Sequence, residues 1–371
     1  MQSLRTGSLK LVFALLAISA LFFPAQVPAT GQIVVGGFIQ HNLVSDIPNM
    51  AITTDPNLKN PWGIAFSPTS PFWISDNGTG VSTLYNTNAQ KLGLTVTIPP
   101  PMGSSDMATP TGIVFNGTSN FVVSSGGRSG SAVFIFATED GTISGWNPNV
   151  NSTAAILAVD NSSSGAVYKG LALASSRSGN FLFATDFHNN AVQVFDSQFH
   201  LVNSFTDLSL PPGFAPFGIT SIQGQLYVSF ALQEAPDNED DEPGPGNGFV
   251  DVFSPTGQLV RRFASQGTLN SPWGMVYAQS FGSFSNALLV GNFGDGTINA
   301  FDFTTGEFLG QLRNTQGQPI RIDGLWALTF GNGGQGGHSS VLYFTAGLND
   351  EEDGLFGDLQ PADSNAGIFN P

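Results

Sequence analysis

The chain of 371 residues contains no cysteine. Disulfides and thiolate metal sites are therefore excluded, and any large fold must be held by burial alone. Basic residues are scarce: 11 Lys and Arg stand against 27 Asp and Glu, a formal net charge of −16 at pH 7. Nucleic acid and anionic membrane surfaces are recognised through clusters of Lys and Arg. The only adjacent pair here is Arg261-Arg262, so a nucleic-acid partner is not expected, whereas cations stay open as partners. Charged residues of both signs reach only 10%, far below the roughly 25% usual in soluble domains. There are four histidines, His41, His188, His200 and His338, and none belongs to an H-E-x-x-H motif. The chain has no G-x-S-x-G elbow, no P-loop and no D-x-D-x-D-G calcium loop, which removes the commonest hydrolase, nucleotide and EF-hand signatures. After residue 23 no apolar run is long enough to span a bilayer.

The N-terminus carries the one long apolar run. Arg5 and Lys10 precede and open LVFALLAISALFF (11–23), and Val27-Pro28-Ala29 follows. This is the three-part pattern of a signal peptide, predicted over residues 1–29 with cleavage after Ala29. Export to the periplasm or the extracellular space follows, with residues 30–371 as the mature domain and no membrane span in it. An uncleaved membrane anchor is the alternative, for which the run is short against the roughly 20 residues of a span.

What the chain has in abundance is Gly (45), Pro (23) and Phe (32), the composition of a turn-rich all-β protein. NPWGIAF (60–66) and SPWGMVY (271–277) carry the same motif, and weaker copies are TPTGIVF (109–115), VYKGLAL (167–173), APFGITS (215–221) and DGLWALTF (323–330). The anchor residues are Gly63, Gly112, Gly170, Gly218, Gly274 and Ala327, separated by 49, 58, 48, 56 and 53 residues. Self-similarity at this period marks a propeller or solenoid. Each copy is followed by an alternating strand, a polar turn and a second alternating strand, as in VQVFDSQFHLVNSF (192–205) and VDVFSPTGQLVRRF (250–263). Four short strands per unit and six units predict a six-bladed β-propeller of four-stranded antiparallel blades. The anchor glycines fit inner strands whose backbones crowd the axis. Trp62, Trp273 and Trp326 are expected to pack between blades. The last unit shows only three strands, and FIQHNLVSD (38–46) is predicted to supply the fourth and close the ring.

In such a blade the loop leading into the first strand and the loop joining strands two and three share one face. That face should carry KNPW (59–62), SDNGTG (75–80), SGGRSG (125–130), TDFHNN (185–190), QEAPDNEDDEPGPGNG (233–248), GNFGDG (291–296) and AGLNDEEDG (346–354). The candidate ligand-binding residues are Asp76, Asn77, Asp186, His188, Asn189, Asn292 and Asp295. A candidate cation site comprises Asp237, Asp240, Asp241, Asn349 and Asp350, oxygen donors of the kind Ca²⁺ prefers. Ordinary turn chemistry is the competing explanation, since Asp, Asn and Gly brace tight turns. In the two acidic runs, crowded carboxylates repel one another, and a cation would relieve that.

The repeat resembles NHL-type and gluconolactonase-like six-bladed propellers. More closely, NLVSDIPNMAITTDPNLKNPWGIAFSPTSPFWISDNGTGVSTLYN (42–86), FIFATEDGTISGWNP (134–148) and LYFTAGLNDEEDGLFG (342–357) resemble an uncharacterised family of exported bacterial proteins. Some members of that family carry a PEP-CTERM tag, and it brings no established activity. The lactonase resemblance implies a divalent metal held on the central channel by a Glu with Asn and Asp. No Glu of this chain begins a first strand, so such a site would have to recruit a loop residue such as Glu234. Two functions lead, with a purely structural or matrix component as a third reading. One is a monomeric binding module whose acidic face takes a carbohydrate, a peptide or an envelope protein, with Ca²⁺ as the candidate cofactor. The other is a metal-dependent hydrolase or lactonase at the channel mouth. An enzyme channel should be lined by convergent polar groups, whereas a binding propeller can plug its channel.

Overall fold

Strands rich in Phe, Val, Ile and Thr alternate with Gly-, Asn- and Asp-bearing turns, and in the computed structural model, which describes residues 36–362, they assemble as six radial blades. The predicted signal peptide, residues 1–29, lies outside the described residues. Blade 1 is built from Pro61–Ala65, Phe72–Asp76, Val81–Tyr85 and Lys91–Thr97. Blade 2 uses Pro110–Phe115, Phe134–Thr138, Thr142–Trp146 and Ile156–Asp160. Blade 3 uses Tyr168–Ser176, Gly179–Asp186, Ala191–Phe195 and Leu201–Phe205. Blade 4 runs Phe214–Ile222, Gln225–Leu232, Gly248–Phe253 and Leu259–Ser265. Blade 5 runs Pro272–Phe281, Phe284–Asn292, Ile298–Asp302 and Phe308–Gln311. Within each of these five blades the strands pair antiparallel in order from the axis outward. No helix among the described residues is long and apolar enough to cross a membrane.

Blade 6 closes the ring as expected. Leu325–Phe330, Leu342–Leu348 and Asp353–Pro361 come from the C-terminal end, and the outer strand is Phe38–Ser45, paired antiparallel from Phe38 with Pro361 to Ser45 with Leu355. The clasp has a polar pin. His41 faces Asp358 across the two strands, Nδ1 to Oδ1 at 2.8 Å, and the Asp358 side chain is fully buried. Burial raises the Asp358 carboxyl, and the His41 contact opposes that rise. His41→Ala leaves a buried carboxylate short of a partner. The expected loss is about 1–2 kcal/mol, which lowers the melting temperature by roughly 2–5 °C. Circular dichroism melts of the two proteins check this.

Six apolar clusters fill the spaces between successive blades, and a seventh lies on the axis. The three tryptophans belong to the seventh, which corrects the expectation that they pack between blades. Trp62 stacks on Trp326 with centroids 3.5 Å apart, and Trp273 meets both edge-on. The anchor glycines do what close approach demands. A Cβ on Gly218 would lie 2.1 Å from the Trp273 carbonyl oxygen of the next blade, and one on Gly274 2.3 Å from that of Trp326. Hydroxyls stitch the same level. Thr185 donates to the Phe217 carbonyl at 2.7 Å and Thr345 to the Trp62 carbonyl. These bonds satisfy inner-strand oxygens that have no strand neighbour on the axial side.

One segment departs from the expected register. Val122–Ser125 and Arg128–Ser131 pair with each other as a two-stranded ribbon inserted between the first and second strands of blade 2. SGGRSG (125–130) therefore belongs to the lower face, not with the loops that lead into first strands. FVVSS, β-branched and followed by Gly-Gly, mimics a blade strand, but Phe134–Thr138 takes that place because it brings five consecutive buried residues.

Candidate functional site at the channel mouth

On the upper face, defined by the loops leading into first strands, the axial tryptophans are capped by a layer of polar side chains. Its centre is Lys169, next to the anchor glycine of blade 3, with a side chain only 3% exposed. The ammonium lies 2.6 Å from Glu139 Oε1, 3.1 Å from Asp240 Oδ1 and 5.3 Å from the centroid of the Trp62 ring. Glu139 comes from the turn after the second strand of blade 2, and Asp240 from the long loop of blade 4. The other Glu139 oxygen accepts from the Asn77 amide at 2.7 Å. Asn60, just ahead of blade 1, donates to Glu351 Oε2 at 2.5 Å and accepts from Trp326 Nε1 at 3.0 Å. Trp273 Nε1 donates to the Lys169 carbonyl at 3.0 Å. Side chains of blades 1, 2 and 4 thus meet on one buried cation supplied by blade 3.

The electrostatics follow from burial. Burial alone would depress the Lys169 ammonium, but Glu139 and then Asp240 outweigh it, and its pKa is held above the ordinary lysine value. Burial pushes the Glu351 carboxyl up to about 7, the Glu139 charge adds to the rise, and the Asn60 hydrogen bond opposes it. Asp241, also buried, is pushed up to about 6 by burial. These raised carboxyls bind protons more tightly folded than unfolded. Their contribution to stability is complete below the unfolded carboxylate pKa and is lost as the pH rises through about 6 and 7. Asp160 acts with the opposite sign: the Ser162 hydroxyl and the Met102 N–H hold it low, so its contribution is lost only in stronger acid. The melting temperature should accordingly be roughly 3–5 °C higher near pH 5.5 than near pH 8. Glu351→Gln should remove only part of that difference, because burial also pushes the Asp251 carboxyl up to about 7, and a pH series of melts would read it.

The residues singled out from sequence are placed unequally. Asn77 joins the central layer through Glu139. Asp76 is fully buried and accepts from the Thr83 hydroxyl at 2.7 Å. Asp186 accepts from the Asn189 amide at 2.9 Å, from Gln193 at 2.8 Å and from the Val167 N–H at 3.2 Å. His188 donates through Nδ1 to the Asp237 carbonyl at 2.9 Å and ties blade 3 to blade 4. Asn292 donates to the Thr268 carbonyl at 2.8 Å and to Asp295 at 3.2 Å, and Asp295 in turn accepts from Thr297. Asp76, Asp186, Asn292 and Asp295 thus brace the turn between their second and third strands.

The candidate calcium ligands are not gathered. Asp240 is paired with Lys169, and Asp237 offers its backbone carbonyl to His188. Asn349 bonds Asp353 and, through its N–H, Asp323, while Asp350 is exposed. Among the described residues no three His, Asp or Glu side chains form a group able to hold a metal ion. These residues do not fit a Ca²⁺ shell. The cation that relieves the acidic loops is Lys169. Glu234 is exposed on the blade 4 loop, and the residue beside the blade 3 anchor glycine is a lysine, so the carboxylate set of a lactonase metal is not assembled either.

Asn60, Glu139, Lys169 and Glu351 were not legible as a site, although one signal was present. The residue before the anchor is Trp62, Thr111, Phe217, Trp273 and Trp326 in five copies and Lys169 in VYKGL. A charged group in an axial position that other repeats fill with an aromatic or a threonine has to be paired.

Below the tryptophans the channel is a blind cavity of about 450 Å³. Its wall includes Ile64, Ile113, Leu171 and Ile219, whose orientation sequence left open, and it holds no charged side chain.

No family model matches the chain. Among solved structures, a streptogramin B lyase aligns over 87% of this chain and 98% of its own with a TM-score of 0.51 at 13% identity. A glucose dehydrogenase aligns over 86% and 99% with a TM-score of 0.51 at 12% identity. At such identity these likenesses show the six-bladed propeller fold alone. In sequence, the uncharacterized protein R648 of Acanthamoeba polyphaga mimivirus is 34% identical over 326 residues, spanning 85% of this chain and 78% of that protein. This relative is viral, so the bacterial origin expected from the resemblance is not supported. The chain belongs to the family of that mimivirus protein.

Proposed function

We propose that the protein is a non-catalytic binding module that takes a cationic partner on the acidic loops of its upper face. The observation that carries this reading is the filled channel mouth: among the described residues an aromatic plug lies on the axis and a buried ammonium caps it. Around that centre, Glu234, Asp237, Glu239, Asp240, Glu242, Asp350 and Glu352 are exposed. Carboxylates crowded on one rim create a field that attracts and orients a basic segment. A basic peptide stretch is the partner that fits. Export with cleavage after Ala29 belongs to the same proposal, and N-terminal sequencing of the secreted protein tests it.

The binding test is calorimetric titration with a short oligolysine peptide. Asp237→Asn/Glu239→Gln should weaken binding by about tenfold, and added salt should weaken it further. Asp196→Asn/Glu307→Gln, which removes the same charge from hairpin turns of the lower face, should leave affinity nearly unchanged. Equal losses in the two pairs would mean that net charge alone attracts the peptide, and the reading would fail.

A further inference from the structure

Charge is distributed unevenly along the propeller axis. Almost every described Lys and Arg meets a carboxylate or a carbonyl oxygen. Arg128 and Arg177 are the exceptions: both are exposed, and neither bonds an acceptor among the described residues. Both belong to the lower face. Arg177 sits in the turn between the first and second strands of blade 3. Arg128 stands at the tip of the ribbon inserted into blade 2, beside Gly126 and Gly127, whose φ values of 57° and 80° suit a tight two-residue turn. The ladder from Val122–Ser131 to Ser125–Arg128 and a 2.7 Å bond between the Ser124 and Ser129 hydroxyls hold the ribbon in one shape. Its base is fixed to blade 3, where the Phe121 N–H donates to the Ser197 carbonyl at 2.9 Å and the Phe121 ring meets Phe199 edge-on at 5.3 Å. Blade 2 has its four strands without this ribbon, so ring closure does not account for it. The opposite face presents the complement. Glu234, Asp237, Glu239, Glu242, Asp350 and Glu352 are exposed on the upper rim, and their carboxylates have no partner among the described residues. On the lower turns Asp196 and Asp302 are already hydrogen-bonded, and Glu307 belongs to blade 5, across the ring from the ribbon.

We infer that the cationic partner of the acidic rim is a second copy of this chain, stacked head to tail with the arginine-bearing lower face of one copy on the upper rim of the next. This rests on the upper-face reading and names its partner. A guanidinium matches a carboxylate in bidentate geometry, and an ordered ribbon loses little conformational freedom on docking. The two surfaces differ and lie at opposite ends of one axis. The contact is therefore heterologous and does not close on itself, and copies continue into an open stack. The net charge of −16 sets copies against one another at long range. At about 0.15 M salt the screening length of roughly 8 Å suppresses that repulsion while charges in contact still pair. The chain is then a monomer only when dilute.

The test is sedimentation equilibrium of the purified protein at about 0.15 M salt. The average mass should climb with concentration and not settle at a dimer. Arg128→Glu/Arg177→Glu should abolish the climb, and so should Asp237→Lys/Glu239→Lys. Mixed together, the two variants should associate again, because each offers the charge the other lacks. The first variant keeps its rim and should bind oligolysine within about twofold of the unaltered protein. A protein that stays monomeric, an arginine variant that associates as before, or a mixture that does not recover would each overturn the inference. Heparin binding through the two arginines without self-association would overturn it as well, by assigning them to a sulphated polysaccharide. If oligolysine still binds in any of these cases, the failure falls on the stacking alone. Loss of oligolysine binding in the unaltered protein would remove the upper-face reading too.

Discussion

Gly218→Ala should abolish the folded ring or lower its stability by at least about 3 kcal/mol. The added methyl would fall 2.1 Å from the Trp273 carbonyl oxygen, and the neighbour is backbone rather than a side chain that can rotate away. In an open sheet the next strand could slide. In a closed ring, displacing blade 5 from blade 4 compresses the remaining interfaces, including the clasp at Phe38–Ser45. Gly274→Ala, with 2.3 Å to the Trp326 carbonyl oxygen, should behave alike. The sixth copy is the internal control. Ala327 already carries a Cβ on the axis within the aromatic cluster. Ala327→Gly should therefore cost only about 1 kcal/mol, the backbone and packing loss of one methyl. Urea unfolding of the three variants reads the contrast. Similar costs at Gly218 and Ala327 would mean that the inner strands are not locked backbone to backbone.

Lys169→Met should be the second large effect, and it should depend on pH. The methionine keeps the length and the packing against Trp62 but removes the ammonium. Glu139 then loses its 2.6 Å partner while it, Glu351 and Asp240 still crowd the axis. Breaking a buried pair by removing one member costs about 3–5 kcal/mol. Asp240 is three-quarters exposed, so its share is small. The loss should be greatest near pH 8 and shrink near pH 5.5, where Glu351 can take up a proton. Glu139→Gln added to Lys169→Met should recover much of the stability, because the second change removes the charge left unpaired by the first. A double-mutant cycle from denaturant titrations should return a coupling of about 1–3 kcal/mol. Simple additivity would indicate that Lys169 acts through packing alone.

The ring was readable from the chain because its physics is periodic. One anchor glycine and two hairpins per unit leave a trace at every turn of the repeat. Even the borrowed outer strand was visible, as FIQHNLVSD without a hairpin partner of its own. The inserted ribbon at 122–131 escaped because FVVSS, β-branched and followed by Gly-Gly, reads like a blade strand, and only competition for burial with FIFAT decides between them. The channel mouth escaped for a different reason. Asn60, Glu139, Lys169, Asp240 and Glu351 lie in distant parts of the chain, and only ring closure brings them together. Local reading favoured the acidic runs, where residues are adjacent in sequence. In space those runs spread along the rim, with Lys169 from VYKGL paired to the first and Lys59 bonded to the second.

The most direct test of the account is a pair of melts, one in EDTA and one in millimolar Ca²⁺. If Lys169 is the cation of the channel mouth and the acidic loops are a docking surface, the two melts coincide, and Lys169→Met melts lower in both. A ligand that binds only the folded state raises the melting temperature by mass action. A Ca²⁺-specific rise of several degrees in the unaltered protein, lost on Asp240→Asn, would contradict the account and assign the acidic loops to a metal.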